Sequence, residues 1–229
     1  FPTRRSSDLA DAGMPGVLVP AAAVLSCVVP ALERPWKAAL SRTCTGRVLT
    51  VGPGLKTGMP VHYDDPAEIG PDRIADAVAA RAVYGSPCIV IDLGTTTNIE
   101  VIDVRGTFVG GVIAPGLALG ARSLSAAAAR LPQVEPSAPT HVIGRNTREA
   151  MRSGVVLGEV ARIDGMLDMV LAEMRSTKAA GEGSVPIVIT GDDAEALAAL
   201  VGHSLTVDDA LTLRGLAELY RINQKPRRA

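Results

Sequence analysis

Short apolar runs alternate along the chain with longer stretches in which apolar residues recur every three or four positions. The short runs predict strands at Val24 to Val29, Arg47 to Val51, Cys88 to Asp92, Pro186 to Thr190 and Ser204 to Val207. The helical spacing predicts helices at Pro30 to about Leu40, Asp72 to about Tyr84, Leu117 to Leu131, Ala194 to Val201 and Thr212 to Ile222. Strands and helices in alternation are typical of an α/β fold.

The second half of the chain carries a hairpin and a long helix. Thr97 to Val104 and Thr107 to Val112 alternate across Arg105-Gly106, as the two strands of a hairpin do. Asn146 and Glu149 resemble a capping box that opens a helix to about Arg175. The order strand, turn, hairpin, helix, helix, strand, helix predicts a ribonuclease-H-like domain. Gly85-Ser86-Pro87 is the predicted boundary before it.

Composition limits the classes of partner. The chain has 229 residues, of which 47% are apolar and 3% aromatic, so Ala, Val, Leu and Ile must form the core. The net charge of -1 predicts no nucleic-acid partner. The apolar stretch Val17 to Leu32 contains two prolines and is too short to span a bilayer, so no membrane partner is predicted. Three cysteines without metal-like spacing (Cys27, Cys44 and Cys88) indicate reduced core thiols in a cytoplasmic protein.

The two ends of the chain are unusual. Residues 1–9 look like a translated sequencing adapter, so we exclude them from the fold prediction. We expect residues 10–86 to be the remnant of a first ribonuclease-H-like domain and residues 87–223 to form a second. Residues 224–229 are expected to be a disordered tail.

Three motifs carry the candidate chemistry. Asp92-Leu93-Gly94-Thr95 follows an apolar run, and such a turn can present backbone N–H groups, a hydroxyl and a carboxylate to a phosphate and its cation. Gly70-Pro71-Asp72-Arg73 places an acid beside a base, and Gly110 to Gly116 is rich in glycine. Simpler interpretations remain: an Asx-type turn at Asp92, and at Asp72 an acid favoured by the helix dipole.

Several motifs in one order make the chain from about Val24 to Asn223 resemble type III pantothenate kinases, members of the sugar kinase/Hsp70/actin superfamily. The matching stretches are Ser26 to Pro30, Gly52 to Gly58, Gly70 to Arg73, Asp92 to Thr95, Gly110 to Gly116, Ile143 to Thr147 and Leu211 to Leu216. The resemblance implies ATP-dependent phosphorylation of pantothenate to 4′-phosphopantothenate, the first step of coenzyme A biosynthesis. It also implies two ribonuclease-H-like domains and a homodimer.

The resemblance assigns the acceptor side to the stretch Gly70 to Arg73. Asp72 is implied as the catalytic base, while Gly70, Pro71 and Arg73 are implied to bind pantothenate. Tyr63 and Thr147 are implied as further substrate contacts. From the residues alone, Arg73 could also be a solvated helix residue, Tyr63 a packing residue and Thr147 a helix cap.

On the donor side, the resemblance implies that Thr95 contacts ATP and that Asp92 is the ligand of a monovalent cation, K⁺ or NH₄⁺. Mg²⁺ is expected to accompany ATP. The family's N-terminal Asp-x-Gly-Asn-Thr loop, which cradles the ATP phosphates, has no counterpart here. We therefore expect the first domain to be incomplete and this chain to be inactive by itself.

Two other functions compete with this interpretation. One is a non-enzymatic transcriptional accessory factor of the same fold, and the other is a different phosphotransferase such as an acetate or sugar kinase. An intact Asp72-Arg73 pair with Asp92 favours the kinase, because a binding protein has no chemical need for a base beside a guanidinium. Tyr63, Asp72-Arg73 and Thr147 together argue against the other phosphotransferases.

Overall fold

The computed structural model describes residues 19–224 and confirms an α/β fold. Its strands are β1 (Ala23–Leu25), β2 (Val48–Thr50), β3 (Cys88–Leu93), β4 (Thr96–Ile102), β5 (Phe108–Pro115), β6 (Ile187–Gly191) and β7 (Thr206–Val207). Its α-helices are α1 (Pro30–Thr43), α2 (Pro71–Tyr84), α3 (Leu117–Ala127), α4 (Thr147–Arg152), α5 (Gly158–Ser176), α6 (Ala194–Ala198) and α7 (Leu211–Ile222). The predictions for residues 1–9 and 225–229 lie outside the described residues.

The described chain forms two compact units. Within residues 19–224, the first unit comprises residues 19–58, 64–79 and 212–224, and the second comprises residues 59–63 and 80–211. The first unit contains β1 and β2, which pair in parallel and are connected by α1. In the same unit, Lys56 and the side chain of Asn223 exchange two hydrogen bonds, of 3.2 and 2.7 Å, so the stretch Gly52 to Gly58 is tied to the end of α7.

Helices α2 and α7 approach each other closely within the first unit. A Cβ atom at residue 215 would collide with the backbone oxygen of Ala75, so only glycine fits at this point of α7. Ala75 lies three residues after Asp72, so this contact fixes the first turn of α2.

We expect Gly215→Ala to lower the free energy of unfolding of the first unit by about 1–3 kcal/mol, since overpacking against rigid backbone forces the helices apart. Thermal denaturation measures the loss. Gly165→Ala is the matched control, because Gly165 lies within α5 and a Cβ there would meet nothing within 4 Å. The control is expected to stabilise by up to about 1 kcal/mol, as alanine does in a helix interior. Equal transitions for both variants would contradict the close approach.

The second unit contains a five-stranded sheet in the order β5-β4-β3-β6-β7. Strands β3, β4 and β5 form an antiparallel meander, and β6 and β7 join it in parallel with β3. The predicted hairpin is thus confirmed, with its second strand extended to Pro115. Strand β3 lies at the centre of the sheet between β4 and β6, which explains why its sequence is almost continuously apolar.

One face of this sheet packs on α5. Ile89, Ile91 and Leu93 alternate along β3 and contact a buried row on the helix that includes Ile163 and Leu167. Successive strand residues point to opposite faces, so Asp92 lies on the face away from this core. Strand residues Val90 and Cys88 share that second face and are fully buried.

The predicted long helix from Asn146 to about Arg175 is wrong in one respect. A π-helical segment, Ser153–Leu157, separates α4 from α5 and adds one residue to a turn. The predicted helix Leu117 to Leu131 also ends earlier, at Ala127, where the Ala128 N–H bonds to the Leu124 carbonyl and the chain becomes extended. Likewise β1 ends at Leu25 rather than Val29, because its partner β2 is three residues long.

Two of the three cysteines lie in the core, where all three were predicted. Cys44 and Cys88 are buried, Cys27 is half-buried, and all three are free. Burial raises the pKa of the Cys88 thiol to about 12, so this thiol stays protonated at neutral pH. Between residues 19 and 224, no helix combines the length and apolarity needed to cross a membrane.

Candidate active site

Asp72 lies in the first turn of α2, where its carboxylate folds back over the helix N-terminus. Asp72 Oδ1 accepts a hydrogen bond of 2.9 Å from the Arg73 N–H, and the Gly70 carbonyl accepts one of 3.1 Å from Ile74. A Cβ atom at residue 70 would collide with Asp72 Oδ1. Gly70 therefore leaves the space that the carboxylate occupies, a role that the sequence analysis did not identify. Pro71 suits the first helical position, where no N–H donor is needed.

Arg73 is buried although it follows directly on Asp72. Arg73 is only 5% exposed, whereas Asp72 is half-buried. The interpretation of Arg73 as a solvated helix residue is therefore wrong. Arginine is rarely buried without a specific reason, since removing a guanidinium from water is costly unless it is paired.

The turn between β3 and β4 holds Thr95 at its exposed tip. The Gly94 N–H donates to the Thr96 carbonyl at 3.0 Å, and the Gly116 N–H donates to the Thr95 carbonyl at 3.0 Å. Asp92 is half-buried and lies one residue before the end of β3. The structure thus places Asp92 near the end of β3 and Thr95 three residues later, in the turn that follows the strand.

Asp92 has polar neighbours in both adjacent strands. It lies directly opposite Asn98 of β4 and opposite Thr190 of β6, so the three side chains are abreast on one face of the sheet. Asn98 is 5% exposed, and its Oδ1 is buried without a hydrogen-bond partner among residues 19–224. Sequence reasoning missed Asn98, whose only signal is an amide inside an otherwise apolar strand.

Thr147 is the exposed first residue of α4, but it is not the residue that caps the helix. Asn146 Oδ1 accepts a hydrogen bond of 3.0 Å from the Glu149 N–H, so Asn146 is the cap, as the predicted capping box requires. Glu149 accepts in turn from the Arg145 N–H at 3.0 Å, and this bond lowers the pKa of the Glu149 carboxyl. The hydroxyl of Thr147 is therefore not needed for capping.

Tyr63 packs on the start of β5. Its ring centroid lies 6.1 Å from that of Phe108, with the planes tilted by 47°. The ring also covers Gly110, where a Cβ would lie 3.8 Å from it. The packing interpretation of Tyr63 is thus confirmed, and a contact with substrate stays a prediction.

The predicted site residues are divided between the two units. Gly70, Pro71, Asp72 and Arg73 belong to the first unit, and Tyr63, Asp92, Thr95 and Thr147 belong to the second. An open cavity of about 690 Å³ lies at the carboxyl end of β6, lined by residues 191–196 and Asp209. The part of the chain that the structure describes contains no cluster of three or more His, Cys, Asp or Glu side chains suited to a metal ion.

Comparisons with known proteins give one consistent family. A family model described as type III pantothenate kinase matches residues 6–169. A type III pantothenate kinase of Koribacter versatilis is 42% identical over 201 residues, which cover 88% of this chain and 71% of the relative. A type III pantothenate kinase of Moorella thermoacetica is 38% identical over 204 residues, which cover 87% of this chain and 76% of the relative.

A solved structure has the same fold. It is described as a conserved Baf family transcriptional activator from Campylobacter jejuni, and it aligns with a TM-score of 0.57 over 86% of this chain and 80% of that chain. Its sequence identity is 22%, so the likeness concerns the fold alone.

Proposed function

Because the chain belongs to the type III pantothenate kinase family, we propose that it transfers the γ-phosphoryl group of ATP to pantothenate, the first step of coenzyme A biosynthesis. The observation that carries the proposal is the placement of Asp72 and Arg73 on the first turn of α2, where the Arg73 backbone N–H holds the Asp72 carboxylate beside Gly70 and the Arg73 side chain is buried. No observation favours the transcriptional accessory factor over the kinase.

On the acceptor side, Asp72 takes the proton of the primary hydroxyl of pantothenate as that oxygen attacks the γ-phosphorus, while the bond from the γ-phosphorus to the bridging oxygen breaks and ADP leaves. Phosphoryl transfer asks little covalent chemistry of the protein, so positioning and a proton acceptor are the main requirements. Arg73 pairs with the pantothenate carboxylate, for which a guanidinium offers two parallel donors. Tyr63, Thr147 and the backbone of Gly70 and Pro71 complete the pantothenate contacts.

On the donor side, Thr95 contacts an ATP phosphate. Its exposed position on a hydrogen-bonded turn supports this assignment, because a rigid turn can offer its hydroxyl and N–H groups without reorganising. The cavity at the carboxyl end of β6 suits the nucleoside half of ATP, since its acidic lining would repel the phosphates. Mg²⁺ bound with ATP neutralises charge on the transferring phosphoryl group.

Asp92 holds a monovalent cation, K⁺ or NH₄⁺, in this proposal. The donor set fits such an ion: Asp92 lies directly opposite Asn98, whose amide oxygen is buried and lacks a hydrogen-bond partner among the described residues. Thr190 offers a hydroxyl oxygen from the other side. Oxygen ligands of this kind, with a single full charge, suit a large monovalent ion better than a small divalent one.

We also propose two ribonuclease-H-like domains, residues 10–86 and 87–223, in a chain that assembles as a cytoplasmic homodimer. Support for the second domain comes from its three antiparallel strands followed by two parallel ones. Support for a reducing compartment comes from three free cysteines.

The test is phosphorylation by ATP of pantothenate, compared with a sugar and acetate at equal concentration. Turnover is measured in the extended chain. We define this chain as residues 10–229 with an N-terminal segment of a type III pantothenate kinase, carrying the Asp-x-Gly-Asn-Thr loop, joined in front of residue 10. We expect the rate of product formation from pantothenate to be at least about a hundredfold higher than from either competitor. The reason is that the wrong acceptor would leave buried polar groups of the site unpaired. Faster turnover of acetate or the sugar would contradict the proposed acceptor.

A further inference from the structure

The position of Thr95 depends on the end of β5. The Gly116 N–H bonds to the Thr95 carbonyl, and a Cβ atom at residue 116 would collide with the carbonyl of Gly94. Residues 115 and 116 therefore lie in direct backbone contact with the turn. Whatever holds Pro115-Gly116 in place also holds Thr95.

A buried carboxylate on α5 connects both sides of this turn. Glu159 is 4% exposed, and its Oε1 accepts a hydrogen bond of 2.6 Å from the hydroxyl of Thr97 at the start of β4. Its Oε2 is bonded to Arg162, and the same Nη2 atom of Arg162 donates to the Pro115 carbonyl at the end of β5. The Glu159 carboxylate thus links the start of β4, directly after the Thr95 turn, with the end of β5, which contacts that turn.

The helix that carries Glu159 begins directly after a π segment. Ser153–Leu157 lies directly before Gly158, and its extra residue changes the angular relation between α4 and α5. Ser153 is buried, and its hydroxyl donates to the Val142 carbonyl at 2.5 Å. π segments of this kind are often found at functional sites.

A contribution to stability alone does not explain why a glutamate lies at position 159. An apolar side chain could fill the same space, and a buried ion pair is often no more stabilising than the apolar residues that can replace it. What the carboxylate provides is geometry: two oxygens that fix Thr97 and Arg162 at the same time.

We propose that Glu159, through Thr97 and Arg162, is a positioning residue that holds the Thr95 turn in the geometry needed to receive the ATP phosphates. The inference rests on the proposed contact between Thr95 and ATP. Glu159 itself contacts neither substrate. Its effect is on the turn, and therefore on the donor side of the reaction rather than on pantothenate.

The variant Glu159→Gln tests the proposal, because glutamine keeps the shape and an acceptor for Thr97 but presents N–H groups or a neutral oxygen to Arg162. Amide hydrogen exchange of Gly94 and Gly116 is measured in the 229-residue chain, and the KM values for both substrates are measured in the extended chain. We expect both exchange rates and the KM for ATP to rise about tenfold, since small misplacements of a binding group are costly. The KM for pantothenate is expected to stay within about twofold.

Leu167→Ala is the matched control. Leu167 is fully buried on α5, two turns after Glu159, and belongs to the hydrophobic core. It is expected to lower thermal stability at least as much as Glu159→Gln, as large-to-small core changes do, without a selective rise in exchange at Gly94 and Gly116. Arg162→Lys provides a second variant that keeps the charge but loses the guanidinium fork, and we expect it to reproduce the rise in the KM for ATP.

Three outcomes separate the possibilities. Selective exchange at Gly94 and Gly116 together with a higher KM for ATP supports the proposal. Exchange that rises no more than in Leu167→Ala overturns it, whatever the enzyme phosphorylates. Faster exchange with an unchanged KM for ATP also overturns the proposal and shows that Thr95 does not contact ATP. The proposed function is tested separately, by pantothenate phosphorylation in the unsubstituted extended chain.

Discussion

Asp72→Asn is expected to lower turnover by about 10²- to 10⁴-fold in the extended chain, the usual contribution of a positioned general base. The amide has the size of the carboxylate and can still accept the hydrogen bond from the Arg73 N–H. It cannot take the proton of the attacking hydroxyl. We therefore expect pantothenate affinity, measured by calorimetry, to stay within about threefold, because the loss lies in the transition state and not in ground-state binding.

The control for Asp72→Asn is Glu68→Gln. Glu68 is an exposed acid in the short 3₁₀ helix Pro66–Glu68, just before α2, so it tests the removal of one negative charge near the same helix N-terminus. We expect this variant to keep full turnover. Near-normal turnover in Asp72→Asn would remove Asp72 as the base, and loss of pantothenate binding would make it a binding residue instead.

The parts of the site that sequence predicts well are local. The β3 turn was predictable because an apolar run, an acid, a glycine and a threonine follow one another within a few residues. The cap at Asn146 was predictable for the same reason, since the side chain and its partner Glu149 are three residues apart. In both cases the physical cause of the structure lies within one turn of chain.

The parts that sequence did not predict depend on pairing between distant segments. Thr190 stands beside Asp92 only because β6 pairs in parallel with β3, nearly one hundred residues earlier in the chain. Glu159 looks like an ordinary helix acid in the sequence. It is buried with its carboxylate bonded to Thr97, 62 residues earlier in the chain, and no periodicity of apolar residues signals that contact.

A second large effect is expected from replacing potassium with sodium. If the Asp92 carboxylate and the Asn98 amide oxygen hold a large monovalent ion, a smaller ion cannot contact oxygens placed on two rigid strands equally well. We expect turnover to fall on the order of tenfold in sodium, because fixed charge near the phosphates contributes strongly to transition-state stabilisation. Ammonium, which is similar in size to potassium, is expected to replace it.

Asp92→Ala should make the rates in potassium and sodium equal, and both should be low. Glu182→Ala is the control, since Glu182 is an exposed acid of the same unit that lies outside both the cavity at β6 and the row formed by Asp92, Asn98 and Thr190. It is expected to keep the preference for potassium. Equal rates in the two salts for the unsubstituted extended chain would count against a monovalent cation at Asp92.

Thermal stability gives a measurement that does not depend on turnover. A ligand that binds only the folded state stabilises it by mass action, by about 2.7 kcal/mol at a hundred times its dissociation constant. Potassium should therefore raise the thermal transition of the 229-residue chain above its value in sodium at the same ionic strength. Asp92→Ala should abolish that difference, and so should Asn98→Leu, because the leucine fills the strand position but offers no oxygen. A potassium effect that survives in Asp92→Ala would place the cation elsewhere. A potassium effect that is lost in Asp92→Ala but kept in Asn98→Leu would show that the Asp92 carboxylate is a ligand and that the Asn98 amide is not.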